Sequence, residues 1–210
     1  MEKMICLYQN TVILNNINYR FESGKIYGLK GKNGSGKTML MRGISGLIRR
    51  TSGKIIINGE ELEKDISFPR SVGVLIENPA FLSEETGFWN LKILAKLQNK
   101  INDDDIRKTI ERVGLDPDDK RKYRKYSLGM KQRLGIAAAI MEKPDIILLD
   151  EPINALDESG AMLIRDILKE EKERGAIIII ACHDTQELEL LSDEIIVINS
   201  GNIIETYNKN

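Results

Sequence analysis

The chain has 210 residues, long enough for one domain with a buried core of its own. Hydrophobic residues make up 41%, charged residues 30%, and the formal net charge is −1, which argues against a dedicated nucleic-acid or anionic-membrane surface. No apolar run approaches the roughly eighteen residues needed to cross a bilayer, and Met1-Glu-Lys-Met-Ile-Cys-Leu7 lacks the pattern of a signal peptide.

Taken in order, Tyr8–Leu14 and Ile17–Phe21 read as antiparallel strands. Lys25-Ile-Tyr-Gly-Leu-Lys30 follows as a buried strand, with its apolar run at Ile26–Leu29. Next comes Gly31-Lys-Asn-Gly-Ser-Gly-Lys-Thr38, which fits G-x-x-x-x-G-K-[ST], and then an amphipathic helix over Lys37–Leu47. Strand, glycine-rich loop and helix therefore stand in the order a phosphate-binding loop needs. Gly31, Gly34 and Gly36 let the backbone curl so that N–H groups of Asn33, Gly34, Ser35 and Gly36 point at a phosphate, and the helix dipole adds to the attraction. Lys37 is expected to reach the β- and γ-phosphates of a nucleoside triphosphate, and the Thr38 hydroxyl to ligate Mg²⁺.

Lys54–Asn58 reads as a further antiparallel strand, with turn residues at Gly53 and Asn58-Gly59. Val72–Ile76 is a short apolar run of strand length. From about residue 78 to 143 no strand is expected, but helical patterns occur at Phe88–Leu97, Asp103–Val113 and Leu128–Met141. We read this stretch as a helical insertion within a single domain covering 1–210. Ser127 is a good N-cap, so the last of these helices offers a second anion-seeking N-terminus. An ordinary capped helix is the other reading, and spacing alone leaves both open. The basic run Lys120-Arg-Lys-Tyr-Arg-Lys125 follows the acidic Asp116–Asp119, so a solvated approach to that helix is favoured over a nucleic-acid site.

Ile146–Leu149 is a buried strand leading into Asp150 and Glu151. Its end is expected beside the phosphate loop, with Asp150 near the Mg²⁺ held by Thr38 and Glu151 placed to polarise an attacking water. Ser159–Glu173 reads as a helix, Ile177–Ala181 as a strand, Thr185–Leu191 as a helix, and Ile195–Ile198 with Ile203–Thr206 as a strand pair. His183, the chain's one histidine, follows directly on a strand. A lone histidine is more often structural, but the carboxyl end of a parallel strand is where open α/β sheets gather ligand contacts. Cys6 and Cys182 sit in apolar runs and are expected as buried reduced thiols of a cytoplasmic protein. The alternation of Ile- and Val-rich strands with helices gives an α/β fold around a mostly parallel sheet.

In this order the motifs resemble those of the nucleotide-binding subunit of ABC transporters, over about Tyr8 to Thr206. Gly31–Thr38 is similar to its Walker A motif, Ile146–Glu151 to Walker B with the catalytic glutamate, Tyr126–Gln132 to the signature motif, Asn154-Ala-Leu-Asp157 to the D-loop, and His183 to the switch histidine. The resemblance implies a P-loop NTPase fold with an N-terminal antiparallel β subdomain and an inserted helical subdomain. It implies ATP and Mg²⁺ as ligands, with Tyr8 stacking on adenine and Glu77 at the position of a cation- or water-coordinating glutamine. It also implies a head-to-tail ATP-sandwich dimer with a second copy or a homologue. Ser127 and Gly129 of one subunit would meet the γ-phosphate held by the other, and Asp157 would lie at the interface.

Three departures stand out. Glu77 replaces the usual glutamine, Leu128 and Met130 replace a glycine and the glutamine of the signature, and the sequence stops soon after its last strand pair. A separate permease is therefore expected to carry the membrane span, with the chain peripheral on the inner face of the membrane. Ser-Leu-Gly-Met-Lys-Gln-Arg with Ile-Glu-x-Pro resembles exporters of bacitracin, lantibiotics and related peptides or drugs. A soluble ABC ATPase serving iron–sulfur assembly or nucleic-acid maintenance is the alternative. A P-loop kinase ranks last, because it leaves Ser127–Gly129 and Asn154–Asp157 unexplained.

Overall fold

A computed structural model describes residues 2–8, 11–77 and 79–208. The strands are β1 (Glu2–Tyr8), β2 (Thr11–Ile17), β3 (Lys25–Lys30), β4 (Ser52–Lys54), β5 (Ile56–Ile57), β6 (Glu60–Glu61), β7 (Val72–Leu75), β8 (Ile146–Asp150), β9 (Ile177–Ala181), β10 (Glu194–Asn199) and β11 (Asn202–Asn208). The α-helices are α1 (Lys37–Ile44), α2 (Gly87–Gln98), α3 (Asp103–Arg112), α4 (Leu128–Ile140), α5 (Glu158–Glu173) and α6 (Thr185–Leu191).

The central sheet has the order β11-β10-β3-β9-β8-β7 and is parallel except for β11 at its edge. Its strands are apolar throughout because both faces are covered. On β8, Ile147 and Leu149 enter one core while Ile146 and Leu148 enter the other. On β9, Ile178 and Ile180 oppose Ile179 and Ala181 in the same way. The first core packs against α2 to α6, the second against α1 and β2. Between β7 and β8 the described residues hold α2, α3, a single 3₁₀ turn at Tyr123–Lys125 and α4, with no strand. Leu91, Ile106 and Ile110 of these helices share one core with Ile147 and Leu149 of the sheet.

Three expected strands are drawn differently. The run Tyr8–Leu14 divides between β1 and β2, which pair antiparallel with Tyr8 opposite Thr11, so alternation that reads as one strand belongs to two. Only Ile17 of Ile17–Phe21 is in a ladder. The aromatic rings there pack on each other instead: Tyr19, Phe21 and Tyr27 have centroids 4.8 to 5.9 Å apart. The run Lys54–Asn58 breaks at the buried Ile55, and β5 turns into β6 through Asn58 and Gly59, both at positive φ (50° and 87°), as a two-residue hairpin loop requires. Helix α1 stops at Ile44, short of Leu47, because Gly46 adopts φ 78° and the Leu47 N–H turns back to the Arg42 carbonyl at 2.9 Å.

The sheet and α4 meet most closely at Gly73, where an added Cβ would lie 1.7 Å from the Ala139 carbonyl oxygen. Gly73→Ala is therefore expected to cost about 3 kcal/mol, the upper range of overpacking, read as a lower urea midpoint at unchanged slope. A loss under ~1 kcal/mol would show that α4 can move away from β7.

Candidate functional site

Parallel pairing sets the site. Leu29, Ala181 and Asp150 are level across β3, β9 and β8, so the chain leaves all three strands at one edge of the sheet. The Gly31–Thr38 loop, His183 and Glu151 follow at once on those strands, and Glu77 follows on the neighbouring β7. A cleft of about 650 Å³ results, lined by Asn33–Met39, Glu77, Gln132, Asp150, Glu151, Asn154 and His183.

The loop is held from beneath. Gly31 does not line the cleft: a Cβ there would lie 2.3 Å from the Ile198 carbonyl oxygen and 2.6 Å from Ser35 Oγ. The turn between β10 and β11 props it, through the Gly201 N–H donating to the Ser35 carbonyl at 2.9 Å. Gly34 (φ 76°) has open space where a Cβ would stand, and Gly36 (φ 112°) caps α1 in a conformation other residues rarely adopt. Lys37 is buried and its Nζ donates to the Gly31 carbonyl at 2.7 Å, so the ammonium lies inside the loop's curve. The first turn of α1 carries no acidic residue to offset its dipole. The Ser35 hydroxyl is buried without a hydrogen-bond partner. A cradle with a buried cation and an unsatisfied hydroxyl suits phosphate oxygens.

Thr38 Oγ1 donates to Asp150 Oδ2 at 2.7 Å, which joins loop and β8. Among the described residues no three His, Cys, Asp or Glu side chains cluster as metal ligands. Two hard oxygens and a phosphate cradle are instead the donor set suited to Mg²⁺, which keeps few protein ligands and shares phosphate oxygens.

Glu151 takes a left-handed backbone (φ 52°), and its N–H donates to the Ala181 carbonyl at 2.8 Å. Its Oε1 is buried without a hydrogen-bond partner and lies 3.3 Å from His183 Nε2. Burial raises the Glu151 carboxyl above the ordinary carboxylate range; His183 opposes that rise and Asp150 adds to it. His183 itself is 59% exposed, so it can reach a ligand in the cleft. Cys182, buried between them, is a free thiol that burial pushes up to about 11, well away from a reactive thiolate.

Other expected residues lie elsewhere. Ser127 accepts from the Met130 N–H at 3.2 Å, which makes it the cap of α4. With Gly129 and Asp157 it lines a separate open cavity of about 540 Å³ that shares no residue with the phosphate cleft. Asp157 caps α5, accepting from the Gly160 N–H at 2.9 Å, a bond that lowers its pKa. Glu77 lines the cleft, but its carboxylate is bonded to Arg42 of α1. The Tyr8 side chain lies outside the described residues, as does that of Cys6. The basic run before α4 is largely paired: Arg121 with Asp119, and Lys122 and Arg124 with Glu84, at 2.8 to 3.0 Å.

Sequence reasoning missed Gln132 and Arg42. The buried Gln132 amide donates to the Glu151 and Pro152 carbonyls at 2.8 and 3.2 Å, tying α4 to the end of β8. A buried glutamine on an otherwise apolar helix face is the signal that could have found it. Arg42 stands four residues after Thr38, hence on the same face of α1.

Comparisons agree with this geometry. Residues 14–154 match the ABC transporter family. Over 201 residues the chain is 54% identical to the uncharacterized ABC transporter ATP-binding protein YybJ of Bacillus subtilis (strain 168), covering 96% of this chain and 92% of that one. It is 42% identical over 209 residues to the bacitracin transport ATP-binding protein BcrA of Enterococcus faecalis, covering 99% and 68%. With the lantibiotic transport ATP-binding protein SrtF of Streptococcus pyogenes it shares 38% over 198 residues, covering 94% and 85%. The fold matches the dimeric structure of a bacterial ABC transporter cassette with a TM-score of 0.88 at 21% identity, over 100% of this chain and 97% of that one. This chain belongs to the ABC transporter family and is an ATP-binding, ATP-hydrolysing cassette of a transporter.

Proposed function

We propose that this cassette hydrolyses ATP in the cleft at the strand ends and powers a separate membrane permease that exports peptides or drugs. One observation carries the reading: Lys37, Thr38, Asp150, Glu151 and His183 converge on a single cleft. Loop N–H groups and Lys37 bind the phosphates, and Tyr8 stacks on adenine. Mg²⁺ held by Thr38 and Asp150, with Glu77 nearby, would neutralise charge on the phosphates.

Glu151 accepts a proton from water as the water oxygen bonds to the γ-phosphorus, and the bond from phosphorus to the bridging oxygen breaks, leaving ADP and phosphate. Its buried, partly unsatisfied carboxylate suits a base, since little solvation must be lost when the proton arrives. His183 orients the γ-phosphate and the Glu151 carboxylate, which it already approaches.

Ser127 and Gly129 line a cavity separate from their own chain's phosphate cleft. We read them as half of a site completed by a second copy or a homologue, head to tail, with Asp157 at the interface. ATP contacts made only in the closed dimer would drive closure, and hydrolysis would release it. The helical stretch of about 78–143 serves as a subdomain of the single domain 1–210, and with Glu77 it faces the permease. No helix among the described residues is long and apolar enough to cross a membrane. We read the chain as bound at the inner membrane face through its permease. The transport names of BcrA and SrtF favour this over a soluble cassette.

Glu151→Gln is expected to keep ATP affinity and lower turnover by about 10²- to 10⁴-fold, the usual contribution of a general base. It should also accumulate as a dimer in saturating Mg-ATP, read by light scattering; a strictly monomeric profile would refute the sandwich.

The raised Glu151 pKa has a consequence for stability. A carboxyl that holds its proton more tightly in the folded chain stabilises it fully below the unfolded pKa and loses that contribution as pH rises through the raised value. The neutral Glu151→Gln variant should thus melt higher than wild type near pH 7.5 and lose that advantage as pH falls through the raised value toward the ordinary carboxylate range. An advantage independent of pH would contradict the buried-carboxylate account.

A further inference from the structure

Glu77 presents a difficulty for a phosphate cleft. It lines the same cleft as Lys37–Met39, where the terminal phosphate of a triphosphate would bring several negative charges. Its backbone is left-handed (φ 65°), a conformation unusual for a residue other than glycine, so its direction is fixed by its surroundings. Among the described residues its ion-pair partner is Arg42. The Arg42 guanidinium bonds directly to Glu77 Oε1, and it is two-thirds buried while Glu77 is mostly exposed. Arg42 lies one turn beyond Thr38 on α1, so the loop that grips phosphate and the cation that holds Glu77 belong to one rigid element.

We propose that Arg42 is a positioning residue for nucleotide selection. It turns Glu77 into half of a neutral pair, so that the cleft accepts the γ-phosphate of ATP without repulsion. As a surface ion pair it contributes little to folding. Its value lies in the ligand, because a charge in a cleft closed by nucleotide is screened less than one in open water. The inference rests on the placement of ATP given above and adds what sets the preference for ATP over ADP. It also gives Glu77 a partner other than a metal ion.

The test is nucleotide binding by the full chain without Mg²⁺, using displacement of a fluorescent ATP analogue by ATP and by ADP. Removing the Arg42 charge should weaken ATP at least tenfold, the factor that one uncompensated charge produces even about 12 Å from the phosphate at an effective dielectric of about 20. Arg42→Met should therefore weaken ATP by that factor and leave ADP nearly unchanged. Arg42→Lys should keep the ATP preference, and Glu77→Gln should restore it in the Arg42→Met background. The ATP deficit should shrink as salt is added.

Equal losses for ATP and ADP, or the same loss with Gln at position 77, would make Arg42 merely structural and overturn the proposal. In a parallel titration with Mg²⁺ present, tighter ATP binding by Arg42→Met would overturn it in favour of Glu77 as a metal ligand. In the same titration Lys37→Ala should lose both nucleotides. If it retained them, the placement of ATP itself would fail, which separates that failure from the failure of the Arg42 pair.

Discussion

Parallel pairing of β3, β9 and β8 is the constraint on which everything else depends. Their shared register brings the phosphate loop, His183 and the Asp150–Glu151 pair to one edge of the sheet, although 31 and 183 lie far apart in sequence. Register in turn is fixed by burial on both faces. A one-residue slip of β8 would exchange Ile147 and Leu149 with Ile146 and Leu148 between two differently shaped cores. The catalytic geometry is thereby carried by hydrophobic packing some distance from the chemistry.

Around that frame, polar contacts fix the side chains that apolar packing cannot. Thr38 to Asp150 joins loop to strand, Gln132 ties α4 to the Glu151 and Pro152 carbonyls, and the Gly201 N–H supports Ser35. Each connects a cleft element to a different part of the fold. Gln132 is of particular interest, because α4 is capped by Ser127 and packs on β7 and β8. If that helix moved in the proposed dimer, the Gln132 amide would carry the movement to the backbone beside Glu151.

Electrostatics in the cleft are divided between two kinds of carboxylate. Glu151 is half-buried, close to His183 and raised in pKa, a condition that favours taking up a proton. Glu77 is exposed and held by Arg42, which restrains its rotation. Side chains of the same type, on two neighbouring strand ends, thus serve different ends because their surroundings differ in burial and in counter-charge.

Much of this was determined by the sequence alone. Gly31–Thr38, Asp150–Glu151 and His183 announce themselves because short-range chemistry dictates them: glycines for curvature, a lysine for charge, acids and a histidine at strand ends. The sheet strands were legible because continuous Ile and Val runs have few other uses, and the helices of residues 87–140 because their apolar positions recur at helical spacing. The N-terminal strands were less legible, since alternation continues across the β1–β2 turn and the rings of Tyr19 and Phe21 mimic strand propensity while packing on Tyr27. Only the tertiary structure could decide that Ser127 and Gly129 stand apart from their own cleft, that Gly31 supports the loop instead of lining it, and that Glu77 is held by Arg42. Such facts are distances between residues remote in sequence, and they are set by how the elements pack, which no local pattern records.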